Sequence, residues 1–200
     1  MMEKTKLKLI VYFTIAYLIV FTFNAILKKN YEFLFYTMII SVLIYAIVVH
    51  YKKMHLTNWI ICGISFFILL HFLGGNVYIK GTRLYDFWLI YKFFKFDNLV
   101  HLVGGFVATF IVYNFIRLHL DRNFKHNKVL FSVLLILVVS GGGAINEIIE
   151  LIAVVFLNAA AQIGDYMNNA LDLVFNLLGS IGACLLIMIK YHNNNKSIKK

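Results

Sequence analysis

A small set of acids and histidines in this sequence stands at spacings that a helix turns into chemistry. Asp97 and His101 lie four residues apart in FDNLVHLVGG, and Glu147 and Glu150 three apart in GGGAINEIIE, directly after Gly141 to Gly143. Asp165 and Asp172 follow in GDYMNNALDLVFNLLGS with Asn168, Asn169 and Asn176, and His71 falls in LLHFLGG. At about 100° per residue, positions three or four apart share a face. Asp97 is therefore expected beside His101 and Glu147 beside Glu150, while the Asp/Asn series forms one polar stripe about 16 Å long at 1.5 Å per residue.

Carboxylates, imidazoles and amide oxygens make a hard, mixed donor set. It suits a divalent metal (Mg²⁺, Mn²⁺, Fe²⁺ or Zn²⁺) better than a thiolate-dependent ion. The expected metal ligands are His71, Asp97, His101, Asp165 and Asp172. Glu147 and Glu150, with His101, are the expected catalytic acid and base groups. Asn168 and Asn176 are expected to contact substrate, and Lys80 and Arg83 to hold a lipid phosphate.

Each feature also has a simpler use. Asp97 and Asp165 could cap the helices they open, and the glycine pairs could be surfaces where helices approach closely. Glu147 and Glu150 resist that treatment, because two carboxylates one turn apart near a helix C-terminus oppose both each other and the macrodipole. They call for Lys80 or Arg83, an imidazolium from His71 or His101, shared protons, a bound metal, or a role as a catalytic pair.

The elements that must position these groups follow from composition. The chain has 62% hydrophobic residues, 14% charged residues, no proline and a mean hydropathy of +0.81, which excludes an ordinary soluble domain. A hydrocarbon core about 30 Å thick needs about 20 apolar residues per helix. Six such runs are present, at about 7–27, 33–50, 56–74, 98–118, 129–150 and 170–190. The expectation is an all-α membrane protein, a single domain over 1–200 forming a six-transmembrane-helix bundle. The first run is too long for a signal peptide and lacks a cleavage site, so it reads as a retained span. Cys62 and Cys184 both lie in apolar stretches and read as small hydrophobes, not as a disulfide.

Between the third and fourth runs, NVYIKGTRLYDFWLIYKFFKF is polar at first and then aromatic, with Lys92 and Lys95 interleaved. It is expected to be an amphipathic interfacial helix that roofs the polar cluster. Lys and Arg are unevenly shared between the two faces. Lys4, Lys6, Lys8, Lys52, Lys53, Arg117, Arg122, Lys125, Lys128, Lys190, Lys196, Lys199 and Lys200 fall on one side, and only Lys28, Lys29, Lys80, Arg83, Lys92 and Lys95 on the other. The richer side is expected to be cytoplasmic, with both termini there and the chain multi-pass in the plasma membrane. Asp97, Glu147, Glu150, Asp165 and Asp172 then gather at the outer end. The net charge of +10 reads as topology and attraction to membrane lipids; a nucleic-acid partner would need a basic soluble face, for which no soluble domain is available.

Four segments, HFLGG, FDNLVHLVGGF, NEIIE and GDYMNNALDLVFNLLGSIGA, succeed one another as in the YjdF-like integral membrane proteins of bacteria and archaea. The chain resembles that family from about His71 to Ala183. The resemblance implies a membrane fold and brings no activity with it. In its pattern an aspartate is usual four residues before the position matching Asp172, where this chain has Asn168. The last three segments also resemble the looser pattern of VanZ-like membrane proteins: Asp-x-x-x-His here at Asp97 and His101, a glutamate at Glu147, and Asp-x-x-x-Asn-x-x-Gly at Asp172, Asn176 and Gly179. That likeness implies chemistry at the cell envelope.

Three functions are open at this level. One is a metal-assisted enzyme acting at the outer leaflet on a lipid or polyprenyl-linked substrate. Another is an ion- or proton-coupled transporter, which should carry polar groups into the cytoplasmic half, where Thr14 and Asn114 are the notable ones. The third is a non-catalytic envelope or accessory protein whose polar cluster is structural.

Overall fold

The computed structural model describes residues 2–50, 53–121, 124, 127–157 and 165–197. Lys52, Arg122, Lys125, Lys199 and Lys200, which count toward the charge asymmetry, lie outside the described residues. Six helices carry the fold: α1 (Met2–Leu27), α2 (Tyr31–His50), α3 (Asn58–Asn76), α4 (Phe96–Ile116), α5 (Lys128–Leu157) and α6 (Tyr166–Ser197). Each contains a stretch long and apolar enough to cross a bilayer. The six expected spans are thus present, with ends displaced by a few residues. The largest displacements are at the C-terminal ends of α5, which runs past position 150 to Leu157, and of α6, which runs past position 190 to Ser197.

The distribution of polarity is that of a membrane protein. Large apolar side chains such as Leu9, Phe13, Val42, Tyr45, Leu137 and Leu185 face outward, while Ser65, Asn98, Thr109, Asp172, Asn176 and Ser180 are buried. In hydrocarbon the outward residues meet lipid and the polar ones must find partners inside. Tyr17 donates to the Ser65 carbonyl at 2.9 Å, the Thr14 and Ser65 hydroxyls lie 2.7 Å apart, and Asn24 donates to Asn76 Oδ1 at 3.1 Å. These bonds pin α1 to α3.

The centre of the bundle is α4, which packs against α6, α3 and α5. Its approach to α6 is the closest in the fold and depends on two glycines. A Cβ on Gly105 would overlap the Asn176 carbonyl, and one on Gly179 would overlap that of Leu102. Small residues at both faces therefore let the two backbones touch, as interhelical packing in lipid favours. Gly141 and Gly142 play no such part, since nothing lies within 4 Å of a Cβ at either; in that triplet only Gly143 packs closely, against the Asn176 side chain.

The segment between α3 and α4 departs from the expected interfacial helix. It forms two short antiparallel hairpins, β1 (Tyr78–Ile79) with β2 (Thr82–Arg83) and β3 (Trp88–Ile90) with β4 (Phe94–Lys95), separated by a 3-10 turn over Leu84–Asp86. The first turn is made by Lys80 and Gly81, both at positive φ (50° and 83°). Two central residues in that conformation match the right-handed twist of paired strands. In the second hairpin Lys92 has φ 58° and the register shifts between Trp88 and Ile90. The aromatic residues there are still exposed, with Tyr91 at 76% and Phe93 at 72%, so the segment keeps an interfacial surface in β form.

Candidate functional site

The polar groups converge at the end of the bundle that carries the α1–α2 turn and the hairpins. Helix α4 opens with Lys95 N donating to Asn98 Oδ1 at 2.9 Å, so Asn98 takes the capping role considered for Asp97. Asp97, one turn before His101, is thereby free to face the bundle interior. On α6, Asp165 Oδ1 accepts from Asn168 N at 3.0 Å and is exposed. Asp165, expected among the metal ligands, is a helix cap and, among the described residues, stands apart from the cluster. Asn168, Asp172 and Asn176, at successive four-residue intervals, form the face that does.

His101 is the hub. Its Nε2 lies 3.6 Å from Asp97 Oδ1 and 3.6 Å from Asp172 Oδ1. These separations are too long for hydrogen bonds. They match the spacing of donor atoms around one small divalent ion, about 3.4 Å for tetrahedral bonds of about 2.1 Å. Asp97, His101 and Asp172 each offer a ligand atom within 4.8 Å of the other two, and His101, Glu147 and Glu150 do the same. Asp172 is 1% exposed, and its Oδ1 is buried without a hydrogen-bond partner. A carboxylate in that position demands a cation or a proton.

The supporting contacts hold the ligands in place. Asn168 Nδ2 donates to Asp97 Oδ2 at 3.1 Å and to Asp172 Oδ2 at 3.0 Å, tying α4 to α6. Asn176 Nδ2 lies 3.1 Å from His101 Nδ1, and a half-turn of the amide exchanges its nitrogen and oxygen there. With its amide oxygen turned to that nitrogen, Asn176 would accept Nδ1–H and leave Nε2 unprotonated for a metal. The Asn168 bridge has a testable consequence. Asn168→Asp, which restores the aspartate usual in the YjdF-like pattern, should lower the thermal midpoint in chelator, because three carboxylates would then meet. The same variant should show a larger rise of the midpoint than the parent protein when Mn²⁺ or Zn²⁺ is added.

Glu147 and Glu150 sit well inside α5, with Glu147 about 15 Å from its C-terminal end at 1.5 Å per residue. The conflict with the helix macrodipole expected from the sequence does not apply at that distance, since the effect fades within a turn. Burial takes its place as the reason these acids are unusual. Both carboxylate oxygens of Glu147 are buried without a hydrogen-bond partner, and Glu150 accepts from Asn146 Nδ2 at 2.7 Å. Among the described residues neither is ion-paired with Lys80 or Arg83. Lys80 is exposed at the tip of the first hairpin. Arg83 lies 3.7 Å from Glu32 and 3.4 Å from Asp86.

A cavity of about 530 Å³ opens onto this cluster. At one end it is bordered by Glu32, His71, Arg83, Asp97, His101 and Glu150; further along α4 and α5 its walls become apolar, ending at Val112 and Val138. Gly104, Gly105, Ala108, Gly142 and Gly143 line it and supply the room. His71 borders the cavity but belongs to neither metal-ligand group. Glu32, Tyr36 and Tyr85 also line it and were not among the residues singled out from the sequence. Glu32 reads locally as an ordinary first-turn acid of α2, and Tyr85 as one more interfacial aromatic. Nothing in their own sequence neighbourhoods sets them apart.

No curated protein and no solved structure matches the chain. A protein family described as "Predicted membrane protein (DUF2238)" matches residues 9–194. The YjdF-like resemblance is consistent with that match, and the VanZ-like resemblance has no counterpart in these comparisons. Covering nearly all of the sequence, including every helix that lines the cavity, the match makes this chain a member of the DUF2238 family of membrane proteins.

Proposed function

We propose that the protein is a membrane-embedded enzyme that uses one divalent metal ion to hydrolyse the head group of a lipid-like amphiphile, such as a polyprenyl-linked envelope substrate. The observation that supports it most is the approach of Asp97 and Asp172, from two different helices, to the same nitrogen of His101, with the Asp172 oxygen otherwise unpartnered. Asp97, His101 and Asp172 are the metal ligands. A divalent ion held there would supply Lewis-acid activation of a water molecule; Glu147, close to His101 and lacking other partners, would take the proton of that water as it adds to phosphorus and return it to the leaving oxygen as the phosphorus–oxygen bond to the lipid breaks. The cavity favours an amphiphile, since its polar end meets the metal ligands and its apolar end extends toward the middle of the bundle. The charge asymmetry supports a position for this end of the bundle at the outer face of the plasma membrane, with the termini cytoplasmic.

A carrier would need polar groups waiting along the remaining path. The deeper buried polar side chains are instead already engaged: Thr109 donates to the Gly105 carbonyl at 2.7 Å, Asn114 to Phe110 at 2.8 Å and Ser180 to Leu177 at 3.0 Å, each within its own helix, and Ser65 meets Thr14 on α1 at 2.7 Å. Elemental analysis of the purified protein tests the metal. About one ion per chain is expected in the wild type and less than a tenth of that in His101→Ala, with the helical circular dichroism of both unchanged. Wild-type protein without stoichiometric metal would sink the proposal. Glu147→Gln should keep the ion and lose about 10²- to 10⁴-fold in head-group release from a polyprenyl phosphate.

A further inference from the structure

The surroundings of His71 are built for a purpose other than metal binding. Tyr85, brought back over α3 by the first hairpin, places its hydroxyl 2.5 Å from His71 Nδ1. The rings of Phe33, Tyr36 and Phe72 enclose the imidazole, with centroids 5.6, 5.5 and 5.9 Å away. The two glycines of HFLGG make this cage possible. A Cβ on Gly74 would stand 2.6 Å from Tyr85 Cε1, and one on Gly75 would overlap the Phe33 ring. The motif therefore seats one histidine between aromatic walls at the border of the cavity, with its Nε2 buried and without a hydrogen-bond partner.

The position of the imidazole proton follows from the groups each arrangement leaves unmet. If Tyr85 accepted a hydrogen bond from Nδ1–H, its own buried O–H and the Nε2 lone pair would both lack partners. If Tyr85 donates, a single N–H at Nε2 remains, which is the less costly arrangement. Tyr85 is 9% exposed. Burial first, and then the carboxylates of Asp97 and Glu150, push its hydroxyl well above the ordinary value of 10, so it keeps the proton it donates. His71 then carries its proton on Nε2, an atom that is buried and has no hydrogen-bond partner. An Nε2 that bears a proton cannot ligate a metal, and by distance too His71 stands outside both ligand groups.

We propose that His71 is the head-group anchor of the cavity, donating from Nε2–H to a phosphoryl or carboxyl oxygen of the bound amphiphile, with Tyr85 as the positioning residue that fixes its tautomer. The inference rests on the amphiphile part of the functional reading and is independent of the metal. Arg83, whose guanidinium lies 5.3 Å over the Tyr85 ring, borders the same polar end as the one arginine among the cavity's lining residues, with Glu32 and Asp86 beside it.

Histidine-labelled (¹⁵N) protein in dodecyl maltoside, titrated with dodecyl phosphate and separately with inorganic phosphate, with and without Mn²⁺, tests this. The His71 signal, assigned by its loss in His71→Gln, should be that of the Nε2-protonated tautomer, and it should move with dodecyl phosphate. His71→Phe should weaken dodecyl phosphate binding about tenfold, the loss of one well-placed hydrogen bond to a charged group. His71→Gln keeps a donor and should recover most of that loss, while Tyr85→Phe should show mixed tautomers and an intermediate affinity. An equal response to inorganic phosphate would support the anchor and assign it to free phosphate. An Nδ1-protonated tautomer in the wild type, or unaltered binding by His71→Phe, would overturn it. Failure of the metal reading would look different: protein without stoichiometric metal whose His71 still responds to the titration.

Discussion

Replacing Asp172 with asparagine is expected to abolish the response of the protein to divalent metal while leaving the metal-free fold at least as stable as before. Asp172 is almost wholly buried, and its Oδ1 has no hydrogen-bond partner. Without an ion the fold must hold that carboxylate among Asp97, Glu147 and Glu150, an arrangement unfavourable in a low-dielectric interior. The amide removes the unfavourable charge and keeps the shape, so the thermal midpoint in chelator should stay level or rise. With an ion present the sign reverses. A ligand that binds only the folded state at about 100 times its dissociation constant adds about 2.7 kcal/mol, or roughly 5 to 10 °C for a chain of this size. That rise should appear in the wild type and vanish in Asp172→Asn. Thermal scans of both proteins with chelator and with added Mn²⁺ or Zn²⁺ decide it; a wild-type midpoint indifferent to metal would count against the site itself.

Gly179→Ala should be among the most damaging single-methyl changes available. The added carbon would overlap the Leu102 carbonyl and stand 2.8 Å from the Phe106 backbone nitrogen. Backbone cannot move aside as a flexible side chain can, so α4 and α6 would have to separate. Overpacking of this kind costs about 1 to 3 kcal/mol, and at this crossing it also parts Asp97 and His101 from Asp172. The variant is expected to lower the thermal midpoint by about 5 °C or more and to lose bound metal together with stability. Gly141→Ala is the matched control: a Cβ there meets nothing within 4 Å, and alanine favours the helix by about 1 kcal/mol over glycine. Its midpoint should be unchanged or higher. Equal effects from the two substitutions would contradict the close α4–α6 crossing.

The contrast between these glycines bears on how much could be read from the sequence. GGG at positions 141 to 143 is the more conspicuous motif, yet two of its three residues face open space, while the isolated Gly179 lies directly against the backbone of α4. Asp97 and Asp165 likewise look equivalent as acids that open helices. In the fold Asp165 caps α6, whereas Asn98 relieves Asp97 of that duty. The segment before α4 reads as helical by its spacing of Lys and aromatic residues, but Lys80 and Gly81 close a first hairpin that delivers Tyr85 to His71, and its aromatic part folds into a second with Lys92 at positive φ.

By itself the sequence determined the class of protein, the six spans, and the polar residues that such spans must hide. Hydrocarbon imposes those features locally: each helix needs about 20 apolar residues, and any acid or histidine among them is costly enough to stand out. Tertiary structure decided which of the acids come together around His101, which merely cap a helix, and which histidine Tyr85 meets. Those outcomes depend on how far each helix is rotated and how closely it approaches its neighbour. Contacts such as those of Gly105 and Gly179 set both quantities, and residues far apart in the chain make them.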